Sequence, residues 1–288
     1  PEADFYCPIP WEPLEIATPA ALEAAVARGS DGLLDRVFQL IVHELEYAAP
    51  AWCEATGLRQ LTPDSIADAW FADRLTHDPF QWAQRNLQEV ERNKREHHTV
   101  PWRYAILRLH EAIETVVPQL NDEDSRRFRQ GLARVFIDNY AAIPPESIRR
   151  LLALHRAGIL RIVALGEDYD LQRESDRTLI VHHQQRCEFD VFIDARGQKA
   201  LKTRDLPFPS LRQQLLACGD AIPDVGDDYT LQAPETVRGR VAFGALPWLM
   251  HDRPFVQGLT ASAEIGSAMA RAVSQQAAGR RRRLWYIE

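Results

Sequence analysis

The stretch Glu188-Phe-Asp-Val-Phe-Ile-Asp-Ala-Arg-Gly-Gln198 decides how the last third of this chain is read. Phe189, Val191 and Ile193 recur at every second position, the period of a strand, and Ala195-Arg196-Gly197 follows as a small-residue exit. A second stretch has the same grammar: Gly239-Arg-Val-Ala-Phe-Gly-Ala-Leu246, then Pro254-Phe-Val-Gln-Gly-Leu-Thr-Ala-Ser-Ala-Glu-Ile-Gly266. Each reads as a buried strand running into a turn, and the second turn opens a helix. α/β proteins present backbone N–H groups to a dinucleotide in this way. The phosphate-gripping half of such a site is missing, because no Gly-x-Gly-x-x-Gly occurs in the chain.

Working outward, the character of the sequence changes near Ile143-Pro144-Pro145-Glu146. After it come a short helix over 147–157 stopped by Gly158, and strands over 159–165, 178–183 and 188–195. A helix capped by Ser210 and ended by Gly219, a strand over 241–245 and a last helix over 260–273 complete the pattern. Before it the period is helical. Thr18-Pro19 opens a helix ended by Gly29, with cap, first-turn proline and glycine in the usual order. Thr62-Pro63-Asp64 repeats that opening ahead of Ile66 and Trp70. Helices are expected over 35–48, over the charged segment 81–98, and over 102–117. Another, capped by Asn121 or Asp122, carries Phe128, Leu132, Val135 and Phe136. The expected fold is mixed α/β: a mainly helical region over 1–140, then an α/β region over 141–288 built as a Rossmann-like segment.

Composition narrows the function. The chain has 288 residues, 45% apolar and 26% charged, which suits a soluble globular protein of about two domains. A net charge of −7 speaks against a broad nucleic-acid surface. No apolar run reaches the roughly 18 to 20 residues of a membrane span, and the opening residues are unlike a signal peptide. Cys7, Cys53, Cys187 and Cys218 stand far apart with no Cys-x-x-Cys pair, the pattern of free thiols in a reducing cytoplasm. The first residue is Pro1, so either an initiator was trimmed or the chain is a piece of something longer.

Both turns carry two readings. Ala195-Arg196-Gly197 admits a flat cofactor close to the backbone, or is a tight strand exit with Gly197 at positive φ. Gly244-Ala245 and the helix opening Gln257-Gly258-Leu259-Thr260 would set unpaired N–H groups against the pyrimidine edge of a flavin, or would simply dock a capped helix. Ile265, Met269, Ala272 and Val273 are expected to pin that helix to the sheet.

Histidines give little else. His97-His98 ends a charged helix with no third ligand at metal spacing. His182-His183 would point to opposite faces of a strand. His110, in His110-Glu-Ala-Ile-Glu114, lacks the second histidine of a zinc helix and is expected on a helix surface. His251 is the weak candidate for general acid/base work, its alternative being a loop histidine. The run Arg280–Arg283 complements a helix C-terminus.

From Trp102 to Ser274 the chain resembles the later half of the FAD/NAD(P)-binding flavoproteins related to glutathione reductase and the flavin monooxygenases. The residues that carry this are Phe136-Ile-Asp-Asn-Tyr-Ala-Ala-Ile-Pro-Pro, Asp194-Ala-Arg-Gly-Gln, Asp205-Leu-Pro-Phe-Pro-Ser-Leu and Pro254-Phe-Val-Gln-Gly-Leu-Thr. The resemblance implies an FAD-dependent oxidoreductase with NAD(P)H as electron donor, or the larger C-terminal part of one. By position, Ala195, Arg196 and Gly197 match the turn closing the central segment. Gly244 and Ala245 match the turn near the ribityl chain, and Gln257, Gly258, Leu259 and Thr260 the contact to the flavin ring. Two departures stand out: the opening Gly-x-Gly-x-x-Gly is absent, and Ala245 stands where many relatives of that fold place an aspartate. A separate chain or a missing N-terminal segment would then supply the phosphate grip for a small-molecule substrate reaction. The alternative is a cofactor-free interaction or regulatory subunit that keeps the fold.

Overall fold

The computed structural model describes residues 12–141, 143–166, 168–182, 185–195, 200–251, 253, 256 and 258–284, with the backbone alone for 260 and 276–284. Two compact units emerge. One takes in the described residues of Pro1–Ala112 and Asn121–Gly197, the other those of Ile113–Leu120 and Gln198–Glu288.

The first unit is built from α1 (Pro19–Ala27), α2 (Leu33–Ala48), α3 (Pro50–Thr56), α4 (Ile66–Leu75), α5 (Pro79–Glu96), most of α6 (Pro101–Glu114), α7 (Asp122–Gln130), α8 (Leu132–Tyr140) and α9 (Pro145–Arg156). The starting signals act as read. Thr18 caps α1 by accepting Ala21 N–H at 3.2 Å, and Asp78 caps α5 by accepting from Phe80 and Gln81 at 3.0 Å. Asn121 caps α7 through Asp124 N–H at 2.9 Å. The Thr62 signal is displaced: Thr62 and Ser65 satisfy each other's backbone N–H, so α4 begins at Ile66.

The helix expected to run on from Asn121 is two helices, broken at Gly131. A Cβ at Gly131 would stand 2.0 Å from the Pro63 carbonyl oxygen, so the break is where another backbone passes. α2 carries the core face Leu34, Val37, Phe38, Ile41 and Leu45, and Phe128, Leu132 and Phe136 are buried on α7 and α8. Two buried acids hold the frame. Glu44, fully buried, accepts the N–H groups of Glu15, Ile16 and Ala17, fixing the chain before α1. Arg127 joins Asp35, Asp64 and Asp124 by bonds of 2.7 to 3.2 Å and ties α2, the start of α4 and α7 together.

A three-stranded antiparallel meander closes this unit: β1 (Tyr169–Arg173), β2 (Thr178–His182) and β3 (Gln185–Phe189), in that order. Leu171 faces Ile180, and Ile180 faces Cys187. Thr178 and Leu179 of the central strand are buried, whereas β3 is exposed along its length.

Several sequence expectations are corrected here. No strand forms over 159–165. The strand expected over 188–195 is instead β3, displaced toward the N-terminus and ending at Phe189, and β1 was not foreseen. Pairing with β2 decides both changes, since Thr178 stands opposite Phe189 and leaves nothing opposite residue 191. Among the described residues the strands pair only in antiparallel fashion, so the supported statement is mixed α/β, rich in helix.

The second unit holds the 3₁₀ turn Val117–Gln119, α10 (Pro209–Ala217), the short α11 (Leu246–Leu249) and the long α12 (Gly258–Leu284). Its core is Leu206, Leu215, Leu231 and Phe243, with Trp248 edge-on to Phe243 at 6.0 Å. The strand expected over 241–245 is reduced to a single bridge, Thr230 to Ala242. Ile265 and Ala272 of α12 are buried, but Val273 is exposed: it lies 80° around the helix from Ile265 at 100° per residue.

Candidate functional site

An apolar concavity lies inside the first unit, among α2, α3, α4, α5, α6 and α8. It is a cavity of about 540 Å³, within the usual range of small-molecule sites. Four tryptophans line it: Trp52, Trp70, Trp82 and Trp102. Trp52 and Trp102 stack with centroids 4.6 Å apart and planes within 7° of parallel, so each has one face covered by the other. Trp70 stands edge-on to both, at 6.4 and 5.5 Å, which suits the positive ring edge against a negative face. Aliphatic walls come from Leu45, Leu58, Ile106 and Val135.

The two arginines at the wall are paired. Arg74 donates to Asp138 through Nη1 at 2.6 Å and Nη2 at 2.8 Å, and Trp70 Nε1 donates to the same carboxylate at 2.9 Å. Burial works against ionisation of Asp138, but the bonds from Arg74 and Trp70 outweigh it and hold its carboxyl below the ordinary range. Arg103 lies over the Trp102 ring at 4.4 Å and 3.7 Å from Glu89. Thr56 turns its hydroxyl back to the Trp52 carbonyl at 2.9 Å. A cavity with aromatic and aliphatic walls and paired arginines suits a neutral ligand with a flat apolar body, because a charged one would lose its hydration without a partner.

The residues singled out from the sequence lie elsewhere. Arg196, Gly197 and Gln257 fall outside the described residues. Ala195 is exposed and belongs to the first unit, whereas Gly244, Ala245, His251, Gly258, Leu259 and Thr260 belong to the second. Gly244 has a packing reason of its own: a Cβ there would meet Met269 Sδ at 2.9 Å and Ile265 Cγ2 at 3.5 Å. Ala245 is the residue before α11, and Gly258 opens α12 with φ +79°. Among the described residues nothing stands within 4 Å of a Cβ at Gly258, and Leu259 is 91% exposed. His251 is half-buried with Nε2 2.8 Å from the Leu201 carbonyl oxygen, a bond that makes Nε2 the protonated nitrogen of the neutral ring.

His110 is corrected as well. It is not a surface residue: it is half-buried, with its ring 4.6 Å from Tyr140 and 6.3 Å from Phe136, and burial lowers its pKa below the usual imidazole value. Burial likewise pushes the Cys53 thiol up to about 11, which makes it an inert core residue.

Sequence reasoning placed Trp70 and Trp102 on helices and did not bring them together. The available signal is the count: seven tryptophans in the chain, four of them between positions 52 and 102.

Comparison with known proteins bears on this same region. Residues 18–140, which include all four cavity tryptophans, match the family model described as the YdhS-like middle domain. The chain is 66% identical over 284 residues to the uncharacterized protein YdhS of Escherichia coli (strain K12), a match covering 99% of this chain and 53% of that relative. It thus spans about half the length of the relative it matches. No solved structure matches the chain.

Proposed function

We propose that this chain is the substrate-binding part of an FAD-dependent, NAD(P)-linked oxidoreductase. The observation that carries the substrate half of this reading is the tryptophan-lined cavity, whose size and paired arginines suit a small, flat, apolar molecule. The flavin half rests on the resemblance of residues 102–274 to FAD/NAD(P)-binding flavoproteins and, with it, a Rossmann-like ancestry for the second half. It gains support from the exposure of Leu259 in the first turn of α12 and from the length of the relative, which leaves room for a Gly-x-Gly-x-x-Gly segment outside the matched part. In this reading a flavin carries the hydride, and Gly258 and its neighbours offer backbone N–H groups to the ring edge. The thiols of Cys53, Cys187 and Cys218 and the acidic net charge suit a cytoplasmic protein that binds neither nucleic acid nor membrane.

The test is spectroscopic. Intact protein of the relative's length should purify yellow, with flavin at one per chain, and oxidise NADH or NADPH when an acceptor is supplied. This chain alone should bind FAD weakly or not at all. Colourless intact protein with no nicotinamide oxidation would end the reading. A second reading, a cofactor-free interaction or regulatory subunit, is favoured by one observation: Gly244 is accounted for by the approach of Met269 and Ile265 without any ligand.

A further inference from the structure

The run Ile159-Leu-Arg-Ile-Val-Ala-Leu165 and the stretch from Phe189 to Ile193 are mainly apolar, and the first unit covers only part of them, Leu160 packing against Phe80, Leu87, Ile148 and Leu152. Ile159, Val191 and Ile193 are 74%, 76% and 80% exposed, and Ile162, Val163 and Phe189 are exposed too. Phe189, Val191 and Ile193 stand at every second position, so in a strand they share one face. Phe192, on the opposite side of that alternation, is half-buried under the Arg173 guanidinium at 5.6 Å. The 159–165 run is apolar except for Arg161 and shows no period-two alternation, closer to the pattern of a strand covered on both faces. Residues 161–165 and 191–193 make no backbone hydrogen bond to any described residue. Exposed branched apolar side chains on backbone that pairs with no described residue make a pairing edge rather than a finished surface.

We infer that residues 159–165 and 189–193 are β-strands whose partners are strands of the remaining half of the longer protein, the length of the relative that this chain does not match. Three features select that occupant. The match takes in 99% of this chain but 53% of the relative, so the relative carries a further segment of comparable size that could supply the cover. The patterns are those of strands, so the partner offers a sheet edge, and backbone pairing joins apolar burial in holding the contact. Phe192 packs inward while Val191 and Ile193 face out, so the segment is already oriented with one face given to its own unit. This goes beyond the flavin reading and needs no cofactor.

Hydrogen exchange read by mass spectrometry, without added flavin, tests it on two proteins: this chain and the intact Escherichia coli relative. Peptides over 159–165 and 189–195 should exchange at least about tenfold more slowly in the intact protein, with α2 and α6 peptides unchanged. Equally fast exchange in both would overturn the inference. So would slow exchange in the isolated chain: if it deepened with concentration the occupant would be a second copy, and if not the segments would already be paired within the chain. Protection without bound flavin keeps this inference and ends the flavin reading, while bound flavin without protection does the reverse.

Discussion

Arg74 on α4 and Asp138 on α8 meet as a two-pronged pair, both Nη atoms on both carboxylate oxygens, at 2.6 and 2.8 Å. Trp70, one turn before Arg74, donates to the same carboxylate and is edge-on to Trp52 and Trp102. One acid therefore sets the orientation of a cavity ring. Substituting Asp138→Asn should lower the unfolding free energy by about 2 kcal/mol, below the 3 to 5 of a fully buried pair because Arg74 is partly exposed. Urea unfolding of the whole chain measures it, and a loss under about 0.5 kcal/mol would reduce the pair to an ordinary surface contact.

The same carboxyl predicts an acid response. Its folded pKa is depressed, so its contribution is present above the unfolded value near pH 4 and is lost as pH falls through the folded value. The stability gap between the native chain and Asp138→Asn should be constant from pH 5 to 7 and shrink below about pH 4. A gap independent of pH down to acid unfolding would mean that the charge of Asp138 contributes nothing.

His110 gives a response in a different window. Burial depresses its pKa, so stability is whole above the unfolded value near 6.5 and falls as pH drops below it through the lower folded value. Replacing it as His110→Leu should flatten the loss of melting temperature between pH 7 and 5. An unchanged slope would assign that loss to other groups.

The cavity itself is open to a direct measurement. The neutral probe N-phenyl-1-naphthylamine should bind one per chain and quench tryptophan emission. Ala83→Phe, which places a ring at the wall, should weaken that binding at least about tenfold, roughly 1.4 kcal/mol, with the far-ultraviolet circular dichroism unchanged. Equal binding by the variant would place the probe elsewhere.

Gly131→Ala tests the packing of the helical unit. Its Cβ would overlap the Pro63 carbonyl oxygen, and backbone on both sides leaves no flexible atom to yield, so a loss of about 2 to 4 kcal/mol is expected. Gly158→Ala is the control: its φ of +71° costs about 1 kcal/mol, with open space around it. Similar losses at the two sites would remove the clash argument.

Much of the helical unit was legible along the chain. Thr18, Asp78 and Asn121 announce helices because a cap acts over three residues, and the faces of α2 and α6 repeat at 3.6. The strands were legible as apolar patterns but not as pairings. The 159–165 run and Val191-Phe-Ile193 have strand patterns but pair with no described residue, because pattern says nothing of what a strand pairs with, while β1, with its polar sequence Tyr-Asp-Leu-Gln-Arg, carries no such pattern. The turn residues Gly244 and Gly258 were noticed for their smallness, which a docking helix and a left-handed helix start also explain.

What the sequence by itself determined is whatever acts within a few residues: caps, helix faces, the missing phosphate-binding glycines and the acidic balance. Tertiary structure alone decided that Trp52, Trp70 and Trp102 share one cluster, that Asp138 reaches back 64 residues to Arg74, and that Gly131 must yield to Pro63. The reason is physical. Local conformation is set by backbone sterics and nearest hydrogen bonds, whereas a cavity exists only where helices distant in sequence pack with their side chains at a shared depth.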